Sequence, residues 1–167
     1  MVNVRLANID DYLPVARLHT KSWQENYRGI YSDFFLDNEV EDNRIEVWYE
    51  RFHQPSTNQF IFIAENEREL AGFSCIYLDD DPNYGSLVDN LHVCADFRKK
   101  GVGRILLNEC GMKTLSAAKV KRMYLWVFEN NYKAIAFYER MNGALVETVE
   151  KENEDGSKAL VRRYCWG

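Results

Sequence analysis

The sequence predicts an α/β fold in which one mixed sheet carries helices on both faces. β-rich runs alternate with helical patterns along the chain. A strand, a helix and a strand follow one another over residues 86–128, which normally gives a parallel pair joined by a right-handed crossover. Short polar turns join two other pairs of runs and predict antiparallel hairpins. No repeat or linker interrupts the 167 residues, so one domain spanning 1–167 is expected.

The first third of the chain is predicted to form one strand and two helical regions. Val2–Leu6 alternates apolar and polar residues, as a half-buried strand does. An aspartate at position 10 or 11 can cap a helix that runs to about Tyr27. A second helical region follows Ser32-Asp33 and ends before Pro55, because proline cannot continue a helix.

The remainder alternates predicted strands and helices. Gln59–Glu65 and Leu70–Leu78 are β-rich runs joined by the polar Asn66–Glu69. The later elements are the strand Ser86–Val93, the helix from about Gly101 to Ala118, the strand Met123–Phe128, the helix Asn131–Met141 and the strands Ala144–Lys151 and Lys158–Trp166. Glu154-Asp155-Gly156 joins the last two strands and indicates a hairpin.

The amino-acid composition and the net charge limit the classes of protein to which the chain can belong. The chain is 46% hydrophobic and 28% charged, which is ordinary for a soluble globular fold, and its net charge of −5 argues against a general nucleic-acid binder. Neither a signal peptide nor a membrane span is predicted, so a cytoplasmic protein is expected. The four cysteines have no C-x-x-C pair and read as reduced thiols; only Cys94 lies near basic residues that could activate it. His19 and His53 have no partners at ligand spacing, so no metal is expected.

Residues 97–104, FRKKGVGR, gather two glycines and four cations in an acidic chain. The loop precedes a predicted helix, where backbone N–H groups lack acceptors and the helix dipole favours anions. Glycines keep those donors accessible, so a phosphate cradle is predicted, with a plain basic turn as the alternative. A Walker loop would need Lys-Ser or Lys-Thr after Gly103, and a Rossmann fingerprint would need glycine in place of Leu106.

The run NLHVCADFRKKGVGRILLNEC resembles the acetyl-CoA-binding signature of the GNAT superfamily of N-acetyltransferases, an apolar strand followed by [QR]-x-x-G-x-[GA] and an apolar helix. LWVFENNYKAIAFYERMNGA is similar to the family's next segment, and RLANIDDYLPVARLHTKSW resembles its opening. The resemblance is strongest over residues 86–145. It implies a mostly antiparallel sheet with a splayed central parallel pair. It also implies acetyl transfer from acetyl-CoA, as cosubstrate, to a primary amine in a ternary complex.

The resemblance also implies which residues hold the cofactor. Main-chain groups of Leu91 and Val93 would follow the pantetheine arm, and the Val93 N–H is the candidate donor to the thioester oxygen. The glycine loop would hold the pyrophosphate, with Lys99 or Arg104 on the remaining phosphate. The implied cofactor-binding residues are Leu91, His92, Val93, Arg98, Lys99, Lys100, Gly101, Val102, Gly103, Arg104, Asn131, Ala134 and Phe137.

Tyr138 matches the family's general acid. A phenol with a pKa of about 10 stays protonated at neutral pH and can donate to a departing thiolate. Asn131 and Ala134 fall on the same helix face and can meet the same ligand. That spacing alone also fits an ordinary buried stripe.

Three residues are candidates for the general base. Asp89 is expected on the same strand face as Leu91 and Val93 by period-two alternation. His92 has a suitable pKa but lies on the opposite face unless a bulge turns it. Glu25 could reach the cleft from the first helix, directly or through water.

The stretch WQENYRGIYSDFF resembles a segment found in many bacterial members of the family. It predicts Trp23, Tyr27 and Tyr31 as walls of the acceptor site, with Glu25 or Asp33 attracting a cationic amine; core packing is the alternative for each ring. A non-catalytic acyl-CoA sensor and a nucleotide-binding NTPase are the competing functions. The last strand could pair across a homodimer, as the resemblance implies.

Overall fold

The computed structural model describes residues 1–167. Its strands are β1 Val2–Leu6, β2 Gln59–Asn66, β3 Glu69–Asp81, β4 Gly85–Val93, β5 Met123–Phe128, β6 Ala144–Glu152 and β7 Lys158–Trp166. Its helices are α1 Tyr12–Asn26, α2 Asp33–Asn38, α3 Val40–His53, α4 Val102–Ala117 and α5 Tyr132–Arg140. Short 3₁₀ turns at Ile9–Asp11 and Ala95–Phe97 precede α1 and the glycine loop. The region predicted as one helix before Pro55 is two helices that meet at Glu39.

The seven strands form one sheet in the order β1-β2-β3-β4-β5-β7-β6. All neighbours are antiparallel except β4 and β5, which are parallel and pair only at Ser86–Met123 and Leu87–Tyr124. On the other side of β4, Cys75 pairs with Asn90 and Ile76 with Val88, so Asp89 is the extra residue of a bulge. A bulge bends its strand and increases the local twist. The predicted sheet with a splayed central parallel pair is confirmed.

Helices cover both faces of the sheet, as predicted. On one face α1 and α3 pack through Val15 and Trp48 against Phe73 of β3. On the other face α4 and α5 contribute Leu106 and Ile135 to a larger core cluster. None of the helices combines the length and the apolar character needed to cross a membrane.

Successive residues at the end of β4 belong to different halves of the molecule. Leu91 and Val93 pack against the α4 side, whereas His92 contacts Phe73 on the α1 side. This alternation is the ordinary consequence of a pleated strand. The end of β4 therefore presents side chains to both faces at the place where the sheet opens.

Gly85 fixes the point where β4 starts beside β5. Its φ is +84°, and an added Cβ would lie 2.1 Å from the Arg122 carbonyl oxygen, the acceptor of the Ser86 N–H at 2.9 Å.

We expect Gly85→Ala to lower the free energy of unfolding by about 3 kcal/mol or more, because backbone must move. Gly156 has a φ of +81° but open space, so Gly156→Ala should cost only about 1–2 kcal/mol. Urea denaturation of both variants measures the difference, and equal losses would contradict this account.

Candidate active site

The gap between β4 and β5 opens into a cavity of about 1150 Å³, lined from both faces of the sheet. That volume slightly exceeds the usual range for a single small ligand, about 300–1,000 Å³. The cavity walls include every residue predicted for the site except Glu25, Asp33 and Lys100. The splay therefore brings together segments that are far apart in the sequence.

The glycine loop presents a run of free backbone donors at one end of the cavity. None of the N–H groups of residues 99–104 donates to another protein group, and the first helical bond runs from Ile105 N to Gly101 O at 3.1 Å. Lys99 and Gly101 have left-handed φ values of 61° and 86°. Successive N–H groups in such a turn converge on a common point, which suits a phosphate. At Gly103 an added Cβ would already lie 3.3 Å from the Phe137 ring.

Arg98 connects this loop to the rest of the site. Its Nη2 donates to Glu25 Oε2 at 2.6 Å, and its Nε donates to the Val93 carbonyl at 3.3 Å. Glu25 therefore forms an ion pair with Arg98 and does not line the cavity. Lys100 also lies outside the walls, with its ammonium 5.4 Å from the Phe97 ring.

The edge of β4 that faces β5 has main-chain groups without a strand partner. Cys94 N donates to Ala71 O on β3 at 2.9 Å. In an antiparallel ladder the bonding direction alternates, so the Leu91 and Val93 N–H groups point away from β3. The β5 strand does not pair with them. An extended ligand can therefore bind along this edge as an added strand.

Tyr138 lies in the cavity wall and is 8% exposed. Its hydroxyl has no hydrogen-bond partner within the protein, and burial raises its pKa above the ordinary 10. The phenol is therefore protonated over the whole physiological range and free to donate. At the start of the same helix, Asn131 Oδ1 accepts the Ala134 N–H at 3.2 Å, which leaves the Asn131 amide nitrogen available to a ligand.

The expected orientation of Asp89 is wrong. Regular alternation predicted that it would share a face with Leu91 and Val93, but the bulge reverses it. Its Oδ2 accepts from Arg51 Nη1 at 2.8 Å, and the same nitrogen donates to Asn90 Oδ1 at 2.8 Å. The carboxylate lines the cavity from the α3 side and is held by a guanidinium.

Two histidines that line the cavity, His92 of β4 and His19 of α1, pack against each other. The rings of His92 and His19 have centroids 4.4 Å apart. Ser22 Oγ lies 2.8 Å from His92 Nδ1, and Trp48 Nε1 donates to His19 Nδ1 at 2.9 Å. The Nε2 atom of His92 has no protein partner and is not enclosed. No local pattern selects His19, since its neighbours on α3 and β4 are remote in the chain.

Both histidines are neutral at physiological pH. Burial, together with the smaller effect of the charges of Arg44 and Arg98, lowers the pKa of His92 to about 3. Burial likewise lowers the pKa of His19 well below its ordinary value of 6.5. His92 therefore offers an uncharged imidazole nitrogen to the cavity.

The opposite end of the cavity is walled by aromatic rings, among them the three proposed from the sequence. Trp23 and Tyr31 have centroids 4.8 Å apart, and Tyr27 lies 4.9 Å from Phe128 of β5. Trp23 and Tyr31 are each 7% exposed, so packing and cavity lining are roles of the same rings. Asp33 pairs instead with Arg28 at 3.1 Å, outside the cavity walls.

Sequence reasoning missed two arginines of α3 that line this end. Arg44 is 4% exposed; its guanidinium lies 4.2 Å from the centroid of the Trp23 ring and pairs with Glu154 of the β6–β7 turn at 2.6 Å. Arg51 follows seven residues later and so lies on the same helix face. That spacing is the only local signal that could have found them.

The expectation that Cys94 is a reduced, structural thiol agrees with its surroundings. Its Sγ donates to the Leu70 carbonyl at 3.0 Å, and burial raises the pKa of the thiol. It is not one of the cavity-lining residues.

Known proteins match this fold and chain. The Acetyltransferase (GNAT) family model matches residues 20–144. The chain is 27% identical over 142 residues to the protein named Probable N-acetyltransferase Rv2775 of Mycobacterium tuberculosis, covering 83% of this chain and 78% of that protein. It is 24% identical over 165 residues to a spermidine N(1)-acetyltransferase of Thermoplasma acidophilum, covering 97% and 96% of the two chains. The crystal structure of the PaiA N-acetyltransferase from Thermoplasma acidophilum in complex with coenzyme A has a TM-score of 0.70 at 20% identity, covering 98% of this chain and 99% of that one.

The family model and the relatives named N-acetyltransferases show that the chain is an acyltransferase of the N-acetyltransferase class. The chain belongs to the GNAT acetyltransferase family.

We expect the free energy of unfolding to fall as the pH drops below about 6.5, because the buried histidines of the folded protein resist protonation. This pH range lies above the one in which most carboxylates titrate. Unfolded His92 binds a proton below pH 6.5, whereas folded His92 does so only near pH 3, so stability falls as the pH drops through this window. One fully shifted histidine contributes up to about 1.4 kcal/mol per pH unit. Urea denaturation at pH 7, 6 and 5 should give a smaller slope for His92→Gln than for wild type. The exposed His53 supplies the control, and a His92→Gln slope equal to wild type would count against this assignment.

Proposed function

We propose that this protein transfers the acetyl group of acetyl-CoA directly to a primary amine bound in the same cavity. The observation that supports it most is the continuity of the cavity: the free-amide loop lies at one end, the aromatic and arginine wall at the other, and Tyr138 and His92 line it as well. No cysteine lines the cavity, which favours direct attack over a covalent acetyl-enzyme. One continuous cavity can therefore hold the acceptor and acetyl-CoA side by side.

The loop of residues 99–104 suits the diphosphate of coenzyme A. Its free N–H groups and the cations Arg98, Lys99 and Arg104 are all of the type that binds phosphate. Gly103 keeps the backbone accessible beside Phe137, since any side chain there would compete with the ligand for space. When bound, acetyl-CoA supplies a thioester carbonyl that an amine can attack.

The unpaired edge of β4 suits the remainder of the cofactor. Leu91 and Val93 can bond an extended amide chain through their main-chain groups. We assign the Val93 N–H as the donor that stabilises negative charge developing on the carbonyl oxygen. A donor fixed in a partly buried strand needs no reorganisation during the reaction, which is why such donors are effective.

His92 and Tyr138 divide the proton transfers. With Nδ1 bonded to Ser22, the His92 Nε2 lone pair can accept a proton from the attacking nitrogen, whose N–H becomes far more acidic once it bonds the acetyl carbon. Because the low pKa makes His92 a weak base, it passes this proton on to solvent in the open cavity. Tyr138 donates to the departing sulfur and is reprotonated from solvent. Asp89 and Glu25 are less suited to the base role, since each carboxylate is held by an arginine.

We expect Gly103→Glu to weaken coenzyme A binding by at least about tenfold, because it fills the space beside Phe137 and adds a negative charge at the diphosphate. Asn108→Glu adds the same charge to an exposed position of α4 and serves as the matched control. Calorimetric titration with coenzyme A compares the two. Equal affinities would remove the loop from the cofactor site.

We expect Tyr138→Phe and His92→Gln each to lower kcat by about 10²-fold or more with little change in acetyl-CoA affinity, the usual size of a general acid or base effect. Tyr164→Phe is the control, because Tyr164 is buried outside the cavity and bonds Glu139. Thiol release from acetyl-CoA with a panel of amines, spermidine included, gives the rates. An unchanged kcat in either variant would exclude that residue from its role. Tight coenzyme A binding without thiol release for any amine would instead favour a non-catalytic sensor.

A further inference from the structure

The acceptor end of the cavity has no buried carboxylate left free for an ammonium group. The charged side chains that line it are Arg44, Arg51, Asp89, Lys151, Glu152 and Glu154. Asp89 Oδ2 accepts from Arg51 at 2.8 Å, and both oxygens of Glu154 accept from Arg44 at 2.6 and 2.7 Å. Glu152 is exposed at the end of β6. A polyamine would therefore meet two carboxylates that arginines already pair, Asp89 and Glu154, and one exposed carboxylate, Glu152.

The same end does have a cationic side chain with one donor nitrogen that has no protein acceptor. Arg44 is 4% exposed, and its Nε and Nη2 are occupied by Asn43 and Glu154. Its Nη1 has no protein acceptor, yet it is not enclosed by protein. This nitrogen can therefore donate to a ligand in the cavity, which Arg44 lines. An anionic oxygen forms the strongest hydrogen bonds with a guanidinium, so the free nitrogen suits an anionic ligand group.

Other donors accompany this nitrogen. The hydroxyls of Tyr27 and Tyr31 line the same part of the cavity and have no partner within the protein. Burial raises the pKa of Tyr27 to about 12, against the opposing charge of Arg44, so this phenol remains a donor. The face of Trp23 that could attract a cationic substrate is covered by the Arg44 guanidinium at 4.2 Å.

One continuous wall connects this donor group to the reaction centre. The Arg44 guanidinium packs on Trp23, the centroid of the Trp23 ring lies 5.1 Å from that of His19, and His19 lies 4.4 Å from His92. Resting on the proposed function, we propose that the acceptor is an amino carboxylic acid, whose carboxylate binds Arg44 while its amine lies beside His92. A planar carboxylate matches the geometry of a guanidinium better than any other common anion except phosphate.

The test compares acids with their carboxamides, which keep the shape and remove the charge. N-acetyl derivatives of glycine, alanine, glutamate and phenylalanine, and the matching N-acetyl amides, are titrated into the protein with saturating coenzyme A by calorimetry. These are product analogues, so their binding needs no catalysis and does not depend on the pKa of an amine. At least one acid should bind about tenfold or more tightly than its amide, and more tightly than N-acetylspermidine.

Two variants test whether Arg44 binds the carboxylate of the acid. Arg44→Gln should abolish the preference for the acid over the amide. Glu154→Gln changes a half-exposed side chain and frees Arg44 Nη2, so the preference should persist or increase. If Arg44→Gln does not fold, wild type and Glu154→Gln decide the matter by themselves.

The outcomes separate this proposal from the function on which it rests. Acid binding without thiol release from acetyl-CoA and the free amino acids would preserve the carboxylate-binding site at Arg44 and refute the transferase reaction. Acetylation of spermidine with equal binding of acids and amides would preserve the reaction and refute the acceptor assignment. Binding of no acid in the panel, or loss of the acid preference in Glu154→Gln, would also overturn it.

Discussion

Strands β4 and β5 pair at Ser86–Met123 and Leu87–Tyr124 and then separate. Opening a sheet at its centre leaves main-chain groups without partners, which an ordinary fold avoids. Here the bulge at Asp89 bends β4, which remains paired with β3 on both sides of the bulge, while β5 pairs with β7 along its whole length. The opening joins the two faces of the sheet, so cofactor groups on the α4 side can meet an acceptor on the α1 and α3 side.

Free hydrogen-bonding groups are concentrated where this opening needs ligands. The N–H groups of residues 99–104, the β4 edge at Leu91 and Val93, and the Nη1 atom of Arg44 all lack protein partners. All three places belong to the lining of one cavity, so a single ligand pair could satisfy them. They divide the cavity into a diphosphate end, a thioester region and an acceptor end.

The electrostatics of the cavity differ from those of the whole chain. The net charge is −5, yet arginines lie at both ends of the cavity and help keep His92 neutral, adding to the larger effect of burial. Apolar walls lower the local dielectric and make these few charges effective. A neutral imidazole and a protonated Tyr138 are then present together at physiological pH, which is the combination that acid–base chemistry at one carbonyl requires.

The sequence by itself determined the order and nearly the bounds of the strands and helices, since periodicity, turns and caps are local. It also identified the glycine loop and Tyr138, because their motifs lie in two short segments. Only the tertiary structure decided the orientation of Asp89, since one extra residue in a strand reverses the faces and leaves no local signal. The same holds for His19 and Arg44, whose partners His92 and Glu154 are 73 and 110 residues away in the chain. Chemistry that depends on packing between helices and a distant strand cannot be read from spacing along one segment.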